Sequence, residues 1–432
     1  MTDGAVPTTG GVDEYIDDLA AYVTASPSSF HAAAEGARRL TEHGFTVLDE
    51  REDWSAHGPG RYVVVRDGAL VAWVVPDGAA PTSGFRVLGA HTDSPGFMLK
   101  PHPDFGVLGW QQAGVEIYGG PLLNSWLDRE LCFAGRVTTR HGSEHLIATG
   151  PVARIPQLAI HLDRTVNEGL ALDRQTGVQP IWGAGDPGGL MDRLLRGSGI
   201  DPGDVVGWDL VVADTQPPRR FGGEEEFLAS GRLDNLSSVH AGLRAIIAAP
   251  GDGSTIPVLA AFDHEELGSQ SRSGASGPLL ADVLERISAG LGGDAVAFRR
   301  ALASSVCLSA DAGHLVHPNQ PGRHDPVNRP RPGGGPLLKL NANQRYTTDA
   351  VGTALWARIC AAAGVPWQEF VSHNGVPCGS TIGPLTATRL GIRTLDVGLG
   401  LLSMHSAREM CHVDDVAALG AAVAAFFTLP DA

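Results

Sequence analysis

Residues 256–269 read IPVLAAFDHEELGS. The apolar run Ile256 to Phe262 stops abruptly at Asp263, His264, Glu265 and Glu266. A short, β-compatible apolar run bounded by polar residues reads as a strand buried on both faces. Its carboxyl end then delivers two adjacent glutamates. In open α/β sheets ligands bind in the crevice at the carboxyl ends of the strands. Neighbouring carboxylates can divide the work there, one holding a metal and the other moving a proton. Metal ligands at further strand ends would make this a metallohydrolase.

Working outward, the pattern from Asp234 onward alternates helices and strands. Helices are expected over 235–248, near 278–289, near 349–362 and over 413–427; strands are expected over 256–262, 305–310 and near 392–397. Ahead of them, Tyr15, Leu19 and Tyr22 mark a helix from 12 to about 23, and a second helix is expected over 30–42. Strand-like runs follow at 61–66, 69–75 and 86–90. Residues 1–12 are Gly- and Thr-rich and are expected to be loose. Residues 95–231 differ, with short apolar segments broken by Gly119-Gly120-Pro121, Gly183 to Gly189 and Pro217-Pro218. They read as β-rich. The first strands belong with the second half of the chain. The expected architecture is therefore an α/β catalytic domain of residues 1–94 plus 232–432, a mixed sheet flanked by helices, with a β-rich domain of residues 95–231 inserted. Gly333-Gly334-Gly335 reads as a turn, because no Gly-Lys-Ser/Thr follows it to make a phosphate loop.

The totals narrow the function. The chain has 432 residues, 43% hydrophobic and 19% charged, which is ordinary for a globular protein with a large core. A net charge of −16 with no block of Lys or Arg argues against nucleic acid or an anionic membrane as a partner. Five dispersed cysteines without a CxxC fit neither a disulfide framework nor a cysteine zinc cluster. With an N-terminus lacking signal-peptide character, they fit a cytoplasmic protein. No apolar run approaches the roughly 20 residues needed to span a bilayer.

Five other places share the character of Glu265-Glu266. His91-Thr92-Asp93 ends the strand-like run Val87 to Ala90, and a metal-binding His needs an acceptor on its other ring nitrogen, which Asp93 can supply. Asp234 sits at the start of a helix, where taken alone an N-cap is the ordinary reading. Asp311 follows the run Val306 to Leu308 and could be a turn residue. His405 lies in a Gly-rich loop, where a surface histidine is the ordinary reading. His161 follows an apolar run in the middle domain, where a packed histidine is ordinary. Taken together, they supply the donor set that two zinc ions sharing one carboxylate require, with one Glu left over as general base. The single-zinc HExxH helix is excluded, because His264-Glu265-Glu266-Leu267-Gly268 has Gly in the last position.

Ordered motifs along nearly the whole chain resemble the aspartyl aminopeptidase family of the di-zinc aminopeptidase clan. They are SPSSFHA (26–32), LGAHTDSPGFMLKP (88–101), IPQLAIHL (155–162), SGRLDNLSS (230–238), FDHEELGSQSRSGA (262–275), LSADAGHLVHPN (308–319), LKLNANQRYTT (338–348) and MHSAREMC (404–411). The resemblance implies that Asp234 bridges two zinc ions, with His91 and Asp311 completing one site and Glu266 and His405 the other. It implies Glu265 as general base and Asp93 as the residue orienting His91. His161 is implied to reach the substrate, in the active site of a neighbouring subunit. The inserted domain is implied to build dimers and then a dodecamer. The expected reaction is release of the N-terminal residue of a peptide, Asp or Glu by family preference. Lys339 is the candidate partner of the substrate's side-chain carboxylate and Arg345 a weaker one; a solvated strand-end lysine is the alternative for Lys339. Co²⁺ or Mn²⁺ could occupy the same ligands. The competing readings are an aminopeptidase of neutral or apolar preference, a carboxypeptidase or deacylase of the same clan, and a non-catalytic assembly protein on the same fold.

Overall fold

The computed structural model describes residues 11–55, 57–251 and 253–429. The loose segment expected over 1–12 falls almost entirely outside them. The central element is a nine-stranded mixed sheet. Its strands run in the order Thr46–Val47, Gly60–Arg66, Ala69–Val75, Ile256–Phe262, Phe85–His91, Val306–Ala310, Arg393–Gly398, Leu337–Leu340 and Gln368–Val371. The four strands from Ile256–Phe262 to Arg393–Gly398 are mutually parallel, so their carboxyl ends open on one edge. Phe262 pairs in register with His91, which puts the ends of the first two side by side.

Period-two alternation divides the core into two layers. In Ala69–Val75, the side chains of Leu70, Ala72 and Val74 enter one cluster, while Ala69, Val71, Trp73 and Val75 enter the other. The first layer is covered by the helices Val12–Ala25, Ser29–Glu42, Leu233–Ala248, Ala350–Ala363 and Val413–Thr428, through residues such as Leu19, Leu40, Leu236, Trp356 and Phe426. The second is covered by Leu279–Gly290 and Ala295–Ala303, through Leu284 and Phe298.

A six-stranded sheet, antiparallel throughout, takes strands only from residues between Gly96 and Ala184 and from Val205–Asp214. Its core holds Phe97, Val115, Phe133 and Leu210. The chain segments on either side of it, Phe85–His91 and Ile256–Phe262, both belong to the large sheet. A third, three-stranded sheet pairs Phe227–Ser230 with Glu409–His412 and so brings two distant segments together just before Asp234 and just after His405.

Four of the elements not expected from the sequence bear on the large sheet and its cover. The helices Ala295–Ala303 and Ile382–Leu390 are capped by the side chains of Asp294 and Thr381. The strands Leu337–Leu340 and Gln368–Val371 have four residues each, too short for a period to emerge. Asp234 is not an N-cap. The helix Leu233–Ala248 has no side-chain cap; Arg232 precedes it with φ 60°, and Asp234 itself has non-helical dihedrals.

Candidate active site

The strand ends bring the acids and histidines expected at the site into one cluster. His91 ends its strand and is 1% exposed. Its Nδ1 faces two acceptors, the Asp93 carbonyl at 3.1 Å and Asp93 Oδ1 at 3.4 Å. Nδ1 therefore carries a proton, and Nε2 is the nitrogen turned to the cluster. Nε2 lies 3.3 Å from Asp234 Oδ1 and 3.4 Å from Asp311 Oδ1. On the other side, His405 donates from Nδ1 to the Gly120 carbonyl at 3.0 Å, and its Nε2 lies 3.5 Å from both Asp234 Oδ2 and Glu266 Oε2. Asp234 thus stands between two groupings, His91–Asp234–Asp311 and Asp234–Glu266–His405, and in each the ligand atoms lie within 4.8 Å of one another.

The supporting contacts fix these groups from behind. Asp93 Oδ1 accepts from the Glu265 N–H at 3.0 Å; Oδ2 accepts from the Glu266 N–H at 3.2 Å and the Tyr118 hydroxyl at 2.8 Å. One buried carboxylate therefore orients His91 and both glutamates. Asn235 donates to the Ala310 carbonyl at 2.7 Å, tying the Asp234 segment to the strand that carries Asp311. Sequence reasoning missed Tyr118, the Gly120 carbonyl and Glu409. Glu409 is 2% exposed, and it accepts from the Asp234 N–H at 3.0 Å and the His405 N–H at 2.8 Å. Its one sequence signal is an acid four residues after His405 in MHSAREMC.

The electrostatics fit a cation. Burial, reinforced by the charges of Asp311, Asp93 and Asp234 against the pull of His91, pushes Glu265 up to about 8. Burial and Asp234 raise Glu266 well above the carboxylate range. Burial works against protonated His405, but Asp234 and Glu266 outweigh it and carry the ring up to about 10. The cluster thus holds more negative charge than its burial tolerates, and divalent cations relieve that excess. Asp234 Oδ1 and Glu266 Oε1 are buried without a hydrogen-bond partner, as oxygens reserved for a metal would be. A mixed His/carboxylate donor set suits zinc, and also cobalt or manganese.

A cavity of about 480 Å³ opens on the cluster, lined by Glu265, Glu266, Asp311, Lys339, Tyr346 and His405 among others. Lys339 lies on Leu337–Leu340 and is 1% exposed, so it is no solvated strand end. Its Nζ donates to the Ala312 carbonyl at 2.8 Å and lies 3.4 Å from Asp311 Oδ2. Arg345 is exposed, donates to the Gly379 carbonyl and does not line the cavity. His161 is exposed on the irregular segment after Ile155 and does not line the cavity of its own chain.

The family described as aminopeptidase I zinc metalloprotease (M18) matches residues 22–427. A probable M18 family aminopeptidase 2 of Streptomyces avermitilis is 53% identical over 420 residues, covering 95% of this chain and 97% of that protein. One from Mycobacterium leprae is 44% identical over 420 residues, covering 95% of this chain and 98% of that protein. Among solved structures, a chain of the cryo-EM structure of the Ape4 and Nbr1 complex superimposes with a TM-score of 0.93 at 35% identity, over 96% of this chain and 86% of that one. The S. cerevisiae mApe1 dodecamer gives a TM-score of 0.86 at 27% identity, over 97% of each chain. Family match, sequence relatives and fold agree: this chain belongs to the M18 family of zinc metallo-aminopeptidases.

Proposed function

We propose that the protein is a two-metal aminopeptidase that releases an N-terminal Asp or Glu from peptides, with Glu265 as general base. The observation that carries this reading is Asp234, whose two carboxylate oxygens face His91 and His405 from opposite sides, at 3.3 and 3.5 Å. His91 and Asp311 would hold one zinc, Glu266 and His405 the other, and Asp234 both; Co²⁺ or Mn²⁺ could replace zinc. The bound metals supply Lewis-acid polarisation of the scissile carbonyl and a water acidic enough to attack at neutral pH.

The chain's own residues do the rest. Glu265 takes a proton from the attacking water as the C–O bond forms. It returns a proton to the departing amine as the C–N bond breaks. Asp93 holds His91 in the tautomer that leaves Nε2 free. Lys339 is the single Lys or Arg among the described residues lining the cavity, and two of its contacts leave one of three N–H donors for a substrate carboxylate. His161 would act in the active site of a neighbouring copy. The exposed Leu158, Ile160 and Leu162 around it are apolar enough to seat in a partner. In this reading residues 1–94 and 232–432 form the catalytic domain, and 95–231 the assembly domain of dimers and a dodecamer, the assembly that S. cerevisiae mApe1 forms. The proposed location is the cytoplasm; no helix among the described residues is long and apolar enough to cross a membrane.

The test is a panel of Asp-, Glu-, Leu- and Ala-terminated peptides with wild type and Lys339→Met. Preference for Asp or Glu that collapses in the variant is expected. Equal or better cleavage of Leu by the wild type overturns the acidic preference and favours a neutral aminopeptidase.

A further inference from the structure

Glu409 is buried and in contact with the site, yet it belongs to neither grouping, His91–Asp234–Asp311 or Asp234–Glu266–His405. Both of its oxygens are engaged. Oε2 accepts from the Asp234 N–H at 3.0 Å, and Oε1 from the His405 N–H at 2.8 Å. These two residues lie 171 positions apart in sequence (405 − 234), and this one side chain touches the backbone of both. Its own backbone is fixed as well, because Glu409 pairs with Ser230 in the three-stranded sheet, four residues before Asp234.

The segments it joins are conformationally costly. Arg232, Ser403 and His405 all have left-handed backbones, with φ of 60°, 56° and 66°. None is glycine, and such conformations persist only where the surroundings hold them in place. A side chain that receives an N–H from each segment holds both in a place that excludes water, where hydrogen bonds are stronger than in solvent.

We infer that Glu409 is a positioning residue of the metal centre: by clamping the backbones of Asp234 and His405 it sets the geometry of the Asp234–Glu266–His405 site more strongly than that of the His91–Asp311 site. The inference rests on the metal assignment proposed above. The asymmetry follows from the count of clamped ligands. Two of the three ligands of the first site are held by Glu409, and one of three in the other.

Gln at 409 has nearly the same shape but only one acceptor oxygen, so one of the two N–H groups must face an amide NH₂. Loss of supporting contacts to metal ligands ordinarily weakens metal binding about 10–100-fold. The experiment is zinc release from the holoenzyme into a chelator, followed by metal analysis, for wild type, Glu409→Gln, Glu409→Asp and His405→Ala. The expected result for Glu409→Gln is release of one zinc equivalent, the one His405→Ala fails to retain, about 10–100-fold faster than in wild type. The second equivalent stays within threefold of wild type. Glu409→Asp keeps both acceptors on a shorter arm and should fall between, which covers the case in which the Gln variant does not fold. Excess zinc should restore kcat in Glu409→Gln with KM unchanged, a rescue that a merely structural defect would not give. Wild-type retention of both equivalents, or equal acceleration of both, overturns the inference. A wild-type holoenzyme that never carries two equivalents overturns the two-metal assignment instead.

Discussion

Replacing Asp93 with Asn removes a charge and one acceptor oxygen while keeping the shape. Its carboxylate is 4% exposed and receives three hydrogen bonds, from the Glu265 N–H, the Glu266 N–H and the Tyr118 hydroxyl. An amide can serve only one of the two N–H groups. The Tyr118 hydroxyl can turn round and accept, but a backbone N–H cannot. One buried N–H, of Glu265 or Glu266, is left facing a donor, at a cost of about 1–3 kcal/mol. The bonds that remain lose their charge assistance, roughly another 1 kcal/mol. About 2–4 kcal/mol of misplacement at the two glutamates corresponds to about a 30- to 1000-fold loss in kcat/KM. Tyr118→Phe, which leaves no N–H unpaired, should cost only about 1 kcal/mol, or roughly fivefold. The assay is kcat/KM on a chromogenic aminoacyl substrate, with zinc content and unfolding midpoint recorded for each variant. Asp93→Asn within threefold of wild type at full zinc content would refute the idea that this carboxylate positions the pair.

Glu265→Gln should keep its metals and lose about 10²–10⁴-fold in rate, the scale of general acid–base catalysis; near-normal turnover would remove the residue from that role. Asp234→Ala should lose metal, and an unchanged zinc count by elemental analysis would end its assignment as the bridge. Stability should also fall on mild acidification. Burial and the neighbouring Arg232 lower His31 from 6.5 to about 4. The unfolded chain therefore binds a proton below pH 6.5 that the folded protein refuses until about pH 4, and this term, full above 6.5, is lost across that window. At about 1.4 kcal/mol per pH unit, discounted for partial exposure, it amounts to roughly 1–2 kcal/mol. Urea unfolding of wild type and His31→Gln at pH 7 and 4.5 measures it, and an identical pH dependence in the two proteins would contradict it.

The two parts of the fold were not equally legible. The strands Ala69–Val75, Phe85–His91 and Ile256–Phe262 are wholly buried, so their apolar runs announce them, and the residue after each run is where a polar group must fall. That is why His91, Glu265, Glu266 and Asp311 stood out. Gly96–Val107 was harder, because Pro101 and Pro103 interrupt it and its register shifts between Leu99 and Asp104. Glu409 was invisible for a different reason. Its partners are backbone N–H groups, which every residue but proline has, so no pairing of side chains hints at them. Lys339 read as either a solvated or a substrate-facing cation because its four-residue strand gives no period from which burial could be judged.

Two bonds across the boundary of the sheets carry a consequence for how the molecule holds together. Tyr118 from the antiparallel sheet donates to Asp93, and the Gly120 carbonyl just beyond it receives the His405 ring. Splicing out residues 95–231 would therefore not leave a smaller working enzyme, because His405 would lose the carbonyl that aims it, and Asp93, which aims His91, would lose the Tyr118 hydroxyl. The coupling is reciprocal by thermodynamic necessity. A cation held as proposed by His91 and His405 would make it harder to peel the antiparallel sheet away, and any contact that stiffens that sheet would tighten the grip on the cation.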